Sequence, residues 1–141
     1  MRADQVISTL GLAPHPEGGH YRQTWSAEEC DAEGRALGTC IYFLLADGER
    51  SHWHRVDATE IWLFHAGAPL VLSLAESMSG PRTDLTLGPD LATGARPQAI
   101  VPKHHWQSAR STGAWTLVSC TVSPGFRFEG FTLAPPEFDI P

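Results

Sequence analysis

The most informative segment of the sequence is Gly48-Glu49-Arg50-Ser51-His52-Trp53-His54-Arg55-Val56-Asp57-Ala58-Thr59-Glu60. It predicts a strand over Ser51–Val56, a turn, and a second strand beginning at Glu60. Side chains alternate along a strand, so His52 and His54 are expected on one face and Trp53 on the other. Two imidazoles and the Glu60 carboxylate form an N,N,O donor set that suits a divalent transition metal. A histidine pair on a solvated face is the alternative explanation.

Short extended segments continue on both sides of this stretch, cut by turns rich in Gly, Pro, Asp and Ser. Strands are predicted at His20–Ser26, Leu37–Ala46, Ser51–Val56, Glu60–His65, Pro69–Ala75, Thr83–Leu87, Gln98–Val101, Trp106–Arg110, Trp115–Ser123 and Phe128–Leu133. This spacing is typical of a β-sandwich or barrel, and without alternating long helices it disfavours a parallel α/β sheet. One helix is predicted, Asp4–Leu10, ended by Gly11.

Length and composition favour one ordinary globular domain covering residues 1–141. The chain has 141 residues, 42% hydrophobic and 18% charged, and no apolar run approaching the ~18 residues of a membrane span. The N-terminus lacks the pattern of a signal peptide, so a cytoplasmic location is expected.

Three cysteines at wide spacing indicate plain thiols. The formal net charge of −6 makes nucleic acid and anionic membranes poor partners. The tail, residues 134–141, carries three prolines and is expected to be surface coil.

Several phrases of the sequence resemble a known family. The pattern Gly48…His52-x-His54…Glu60…Gly67 resembles the first signature of the cupin superfamily. The stretch Val101-Pro102-Lys103-His104-His105-Trp106-Gln107 resembles the second. The phrases His15–Arg22, Asp57–Phe64 and Val122–Phe126 are similar to cupin family five, small single-domain cupins labelled a domain of unknown function. The resemblance extends from about Leu10 to Leu133 and implies a double-stranded β-helix, a jelly-roll-like barrel.

The chain departs from the family pattern at the implied metal site. The family's first signature usually keeps only the second histidine, so His52 is expected to restore a metal-binding pair. The second-signature histidine is replaced by Gln107, whose amide is a weaker ligand. We therefore predict a divalent metal held by His52, His54, Glu60 and Gln107, with His104 or His105 as a substitute for Gln107. His104 stands where the family has a glycine, and a positive φ there would cost about 1 kcal/mol.

Other candidate residues surround this set. Glu17, Tyr21 and Arg22 lie in an arm that resembles the family's pocket-lining or dimer-crossing strand. Arg22 is a candidate clamp for a carboxylate or phosphate, or else a structural salt-bridge residue. Trp62 and Phe64 share a face with Glu60 and are candidate aromatic walls for a substrate, with core packing as the alternative. His15 lies between prolines and is interpreted as a loop residue.

Three functions remain open. The first is a metal-dependent enzyme, an oxygenase or isomerase, acting on a small polar or sugar-like substrate. The second is a metal-free epimerase or isomerase, because these cupins are similar in fold to sugar-nucleotide 3,5-epimerases. In that case His54 is the general base, with Glu60 in the site and Tyr21 as the acid. The third is a non-catalytic protein that binds a small molecule. We also predict a homodimer in which His20–Ser26 contacts the partner.

Overall fold

A computed structural model describes residues 1–141, and nearly all of its regular secondary structure is antiparallel strand. The elements are α1 Ala3–Leu10, β1 Ala13–Pro14, β2 His20–Ser26, β3 Thr39–Ala46, β4 Arg50–Val56, β5 Thr59–Gly67, β6 Leu70–Ala75, β7 Thr83–Leu87, β8 Gln98–Val101, β9 Trp106–Ser111, β10 Trp115–Ser123 and β11 Phe131–Leu133. Two single-turn 3₁₀ helices lie at Leu91–Thr93 and Phe128–Gly130. The predicted all-β barrel with one short N-terminal helix is confirmed.

The strands form two sheets that enclose the core. The larger sheet has the order β1-β2-β3-β10-β5-β8, and the smaller has the order β11-β4-β9-β6-β7. Four predicted strands, β2, β7, β8 and β10, have the predicted bounds. Helix α1 packs against the outside of the larger sheet, where Val6 contacts Leu44. No helix is long and apolar enough to cross a membrane.

The barrel is filled at one end and open at the other. In the second half of β3, Phe43 and Leu45 are buried with Trp62, Leu70 and Val118 in the main core cluster. Earlier on β3 and later on β10 the inward side chains line a cavity instead. The apolar core at the filled end of the barrel therefore supports the strands that form the cavity walls at the open end.

Strand β4 contains a β-bulge that overturns one expectation. Ser51 pairs with Ala109 and His54 pairs with Gln107, so β4 has one more residue than β9 between these pairs. The extra residue breaks the alternation of faces. His54 points into the barrel, whereas the His52 ring lies outside it and bonds to the carbonyl oxygen of Pro135 at 2.8 Å. The prediction that both histidines share a face was wrong.

Two chain segments near the C-terminus also differ from expectation. Only Phe131–Leu133 of the predicted strand Phe128–Leu133 is extended. The preceding residues turn because the Asp57 carboxylate lies where a side chain at Gly130 would be, and the Asp57 amide donates to the Gly130 carbonyl at 3.1 Å. The tail is coil as expected, but it does not merely lie on the surface. Ala134 and Ile140 are buried with Trp53 and Trp106.

His104 has a φ of 69° and is the one non-glycine residue with a positive value. This conformation agrees with the resemblance described above, in which His104 stands where the family has a glycine. Its amide donates to the Val56 carbonyl at 3.0 Å, so the strained turn joins the β8–β9 connection to the end of β4.

Candidate functional site

The open end of the barrel holds a cavity of about 270 Å³. Its lining combines titratable groups at the base with aromatic rings. The lining residues are His15, Glu17, Tyr21, Gln23, Thr39, Ile41, His54, Val56, Glu60, Cys120, Val122, Phe126 and Phe128. They come from the loop before β2 and from β2, β3, β4, β5 and β10, together with the segment after β10.

The loop before β2 carries His15 and Glu17 into this cavity. The next two residues, Gly18 and Gly19, have φ values of 108° and 75°, a region that favours glycine. A Cβ at Gly18 would collide with the Arg50 carbonyl, and one at Gly19 would lie 2.7 Å from the Leu44 carbonyl oxygen. The two glycines thus let the loop cross close over both sheets with Glu17 pointing inward.

Glu17 lies at the centre of a buried cluster. Its carboxyl group accepts a short hydrogen bond from the Ser51 hydroxyl. Its Oε1 lies 3.3 Å from Nδ1 of His15, and its Oε2 lies 3.5 Å from Nε2 of His54. The His15 Nδ1 already accepts from the Glu17 backbone amide at 3.1 Å, so this nitrogen carries no proton. A protonated Glu17 suits two such neighbouring acceptors better than a carboxylate does.

The tautomer of His54 follows from one contact. Its Nδ1 lies 2.8 Å from the carbonyl oxygen of His52, and because a carbonyl only accepts, Nδ1 is the protonated nitrogen. In the neutral ring Nε2 therefore holds a free lone pair. The side chain is only 2% exposed, so the ring is fixed by its surroundings. The backbone of the bulge thus holds His54 in the form that can accept a proton.

Glu60 is held from behind by two core residues. Trp62 Nε1 donates to Gln107 Oε1 at 2.8 Å, and Gln107 Nε2 donates to Glu60 Oε1 at 2.7 Å. Both groups of the Gln107 amide are therefore used. The chain of hydrogen bonds fixes the Glu60 carboxyl group at the cavity wall.

The surroundings of the cluster favour the neutral form of each titratable member. Burial raises the pKa of Glu17 to about 8 and that of Glu60 to about 7; nearby Glu17 also raises the Glu60 value, against the opposing effect of His54. Burial lowers the pKa of His15 to about 4, and it also lowers the pKa of His54. Near neutral pH the cavity therefore holds neutral imidazoles beside carboxyl groups that are close to their own pKa values, an arrangement suited to proton transfer.

The aromatic residues after β10 are fastened by an ion pair that we call the Arg35–Asp57 clasp. Two Arg35–Asp57 hydrogen bonds measure 2.7 and 3.1 Å, and Arg35 Nε also donates to the Gly125 carbonyl at 2.7 Å. Arg127 adds a contact to Asp57 at 3.4 Å. The rings of Phe126 and Phe128 meet at 5.0 Å in a T-shaped contact. The clasp therefore holds this aromatic segment against the cavity.

The structure brings together three of the predicted site residues, Tyr21, His54 and Glu60. Arg22 lies on the opposite face of β2 and bonds to the Leu10 carbonyl at 3.2 Å, so it does not reach the cavity. Trp62 is 1% exposed in the core. Phe64 packs against the same core cluster, so neither ring lines the cavity.

The predicted metal set does not fit the residues as they stand. His52 lies outside the cavity because of the bulge, and the Gln107 oxygen accepts from Trp62. His104 and His105 line other surface clefts. No group of three or more His, Cys, Asp or Glu side chains is arranged to hold a metal ion. His54 and Glu60 are the two predicted ligands that share the site.

Sequence reasoning missed His15 as a site residue and did not single out Glu17 as a central one. His15 was interpreted as a loop residue, yet its side chain is 3% exposed and its ring packs 4.5 Å from that of Tyr21. The paired glycines that follow were the usable signal, because adjacent glycines often mark a close approach of the backbone. Burial of an acidic residue in a loop leaves no periodic pattern in the sequence, so the central position of Glu17 is visible only in the three-dimensional structure.

Comparison with known proteins agrees with this architecture. The family described as Cupin superfamily (DUF985) matches residues 4–134. A crystal structure from Shewanella oneidensis is 44% identical with a TM-score of 0.90, covering 95% of this chain and 85% of that one. A hypothetical protein from Leishmania major is 30% identical with a TM-score of 0.86, covering 95% and 88%.

More distant structures share the fold alone. A B. subtilis oxalate decarboxylase is 11% identical with a TM-score of 0.64, covering 86% of this chain and 29% of that one. A cupin-2 domain from Rhodospirillum rubrum is 14% identical with a TM-score of 0.61, covering 89% and 71%. No match was found among curated proteins.

Proposed function

The chain belongs to the Cupin superfamily (DUF985) family, and from this premise we propose that it is a metal-independent acid–base enzyme, an isomerase or epimerase of a small organic carbonyl compound. The observation that carries this proposal is the state of His54. Its Nδ1 proton is donated to the His52 carbonyl oxygen, so the Nε2 lone pair is available at the buried end of the cavity.

His54 acts as the general base of the proposed reaction. Its Nε2 removes a proton from the carbon next to the substrate carbonyl, and the electron pair of the broken C–H bond moves to the carbonyl oxygen as an enolate. Glu17, whose pKa is raised to about 8 by burial, lies 3.5 Å from Nε2 of His54 and can exchange a proton with it. Burial keeps His54 neutral by lowering its pKa, which supports its role as a base.

Tyr21 completes the reaction as the acid that returns a proton to carbon. It lines the same cavity and its ring is held against His15. Return of the proton to the opposite face gives an epimer, and return to another carbon gives an isomer. Glu60, fixed through Gln107 and Trp62, orients the substrate. A divalent metal near His54 and Glu60, the two predicted ligands that line the cavity, is the competing hypothesis, and no step here is assigned to it.

Solvent deuterium exchange tests the proposal without knowledge of the natural substrate. Hydroxyacetone, dihydroxyacetone, glyceraldehyde and the cationic analogue aminoacetone are incubated with EDTA-treated protein in D₂O, and deuterium next to the carbonyl is followed by NMR. His54→Gln is expected to abolish exchange, and Tyr21→Phe to slow turnover about 10²-fold or more. His52→Gln is the matched control, because its ring lies outside the cavity. Absence of His54-dependent exchange throughout the panel would favour a non-catalytic binding protein.

The predicted homodimer is also proposed, through β2. Strand β1 pairs with only the first two residues of β2, at His20 and Tyr21, so the rest of that edge has no strand partner. Trp25 is 55% exposed there. An open edge of this kind is commonly covered by a second chain. Light scattering is expected to give about twice the 15.4 kDa chain mass at micromolar concentration. A monomeric mass would contradict the dimer.

A further inference from the structure

We propose that the cavity selects a small organic cation, a protonated amine about the size of one ring, over a neutral sugar or an anion. This inference rests on the proposed function in using the same cavity as a substrate site. It adds the chemical class of the substrate, which neither the family nor the general-base geometry specifies.

The first support is the charge inventory of the lining. Glu17 and Glu60 both line the cavity, and none of its thirteen lining residues is lysine or arginine. The two imidazoles do not supply the missing positive charge, because burial lowers the pKa of His15 to about 4 and also lowers that of His54. An anionic substrate, including the diphosphate of a sugar nucleotide, would meet no cation and two acidic groups.

The second support is the pairing of the two acids. Glu17 receives a hydrogen bond from the Ser51 hydroxyl, and Glu60 receives one from the Gln107 amide at 2.7 Å. Neither carboxyl group contacts a guanidinium or ammonium group, in contrast to Asp57 in the clasp. Buried carboxylates are normally paired with a cation. An ammonium group placed between them supplies that charge and up to three hydrogen-bond donors.

The third support is the aromatic composition of the cavity wall. Tyr21, Phe126 and Phe128 line it, and Phe131 packs 5.9 Å from Phe126 behind them. Phe128 lines the cavity, and its side chain is 52% exposed, so its ring is accessible to a ligand. Ring faces attract cations, and the attraction strengthens where water is excluded. The volume of about 270 Å³ admits a single ring with a short substituent.

The ligand-free acids hold protons that the amine would displace. Burial raises the pKa of Glu17 to about 8 and that of Glu60 to about 7 because each carboxylate lacks a positive partner. A bound ammonium group favours the ionised form and so lowers these values. Binding is therefore expected to release protons into the buffer and to strengthen as the pH rises from about 6 to about 8.

Three probes of matched shape test the inference by calorimetry in the presence of EDTA: benzylamine, benzyl alcohol and benzoate. At about pH 8, near the pKa of Glu17, benzylamine is expected to bind at least about tenfold more tightly than either of the others. Proton release is measured by repeating the titration in buffers of different ionisation enthalpy. Glu17→Gln and Glu60→Gln should each weaken benzylamine binding about tenfold and leave benzyl alcohol unchanged. Glu28→Gln, an exposed acid outside the cavity, is the control.

Benzylamine that binds no more tightly than benzyl alcohol, whether both bind weakly or neither binds, overturns the inference. Preference for benzoate overturns it as well. Circular dichroism of the two variants confirms that they fold, and Glu17→Asp offers a second test that retains the charge. The acid–base function is judged separately by deuterium exchange, so either proposal can fail while the other stands.

Discussion

The cavity acids and the Arg35–Asp57 clasp place carboxyl groups in two opposite settings, although Asp57 and Glu60 are close neighbours in the chain. In the clasp, hydrogen bonds from Arg35 hold the pKa of Asp57 below its usual range. In the cavity, burial without a cation raises the pKa of Glu17 to about 8 and that of Glu60 to about 7. The difference indicates that Asp57 serves structure, whereas Glu17 and Glu60 retain the capacity to exchange protons or meet a ligand.

The largest expected effect comes from breaking the clasp. In Asp57→Ala the Arg35 guanidinium, whose side chain is 8% exposed, loses its partner while it stays largely buried. We expect a loss of about 3 kcal/mol in the free energy of unfolding, measured by urea denaturation. Glu129→Ala, which removes an exposed acid from the neighbouring 3₁₀ turn, should change it by less than about 0.5 kcal/mol. Equal losses would mean that the clasp has no structural role.

The pH dependence of stability distinguishes the two settings directly. The carboxyl groups of Glu17 and Glu60 bind protons more tightly when folded, so their contribution is full below pH 4.5 and is lost as the pH rises to about 8. His15 and His54 bind protons less tightly when folded, so their contribution falls as the pH drops below 6.5. Above pH 6.5 only Glu17 and Glu60 change the free energy of unfolding with pH. We therefore expect a loss of about 2 kcal/mol in the free energy of unfolding between pH 6.5 and 8. A maximum near pH 8 would contradict this.

Replacing one cavity acid should remove part of that loss. Glu17→Gln keeps the shape of the side chain and eliminates the group whose pKa is about 8. The decrease in unfolding free energy between pH 6.5 and 8 should shrink by more than half, measured from melting curves across that range. Asp57→Asn serves as the comparison, because Asp57 titrates at low pH and should leave the slope unchanged.

The smallest expected effect concerns the histidine outside the cavity. His52→Ala removes one partly exposed hydrogen bond to the Pro135 carbonyl and should cost less than about 1 kcal/mol. Benzylamine binding should stay within about twofold of the unaltered protein, since the ring does not line the cavity. Metal titration by calorimetry of both proteins completes the test. A saturable site lost in His52→Ala would restore the metal hypothesis.

The sequence predicted the fold because its signals are local. Turn residues and alternating apolar positions defined β2, β7, β8 and β10 with the observed bounds. Tyr21, His54 and Glu60 were also anticipated in the site. The sequence did not predict that His52 lies outside the cavity. A bulge leaves the residue types of a strand unchanged, but it alters which face those residues occupy. The hydrogen bond between Trp62 and Gln107 joins two different sheets. Such a contact cannot be predicted from residue spacing along the chain.

The bulge in β4 has a consequence for how this site would change through a shift of strand register. With two residues opposite one, both Ser51 and His54 face inward and Arg50 stays outside. A strand of the same sequence without the bulge would turn Arg50 and His52 inward and Ser51 outward. The cavity would then gain a guanidinium and a third imidazole without a single substitution. In this barrel the register of one strand, as much as the identity of its residues, determines the chemistry of the interior.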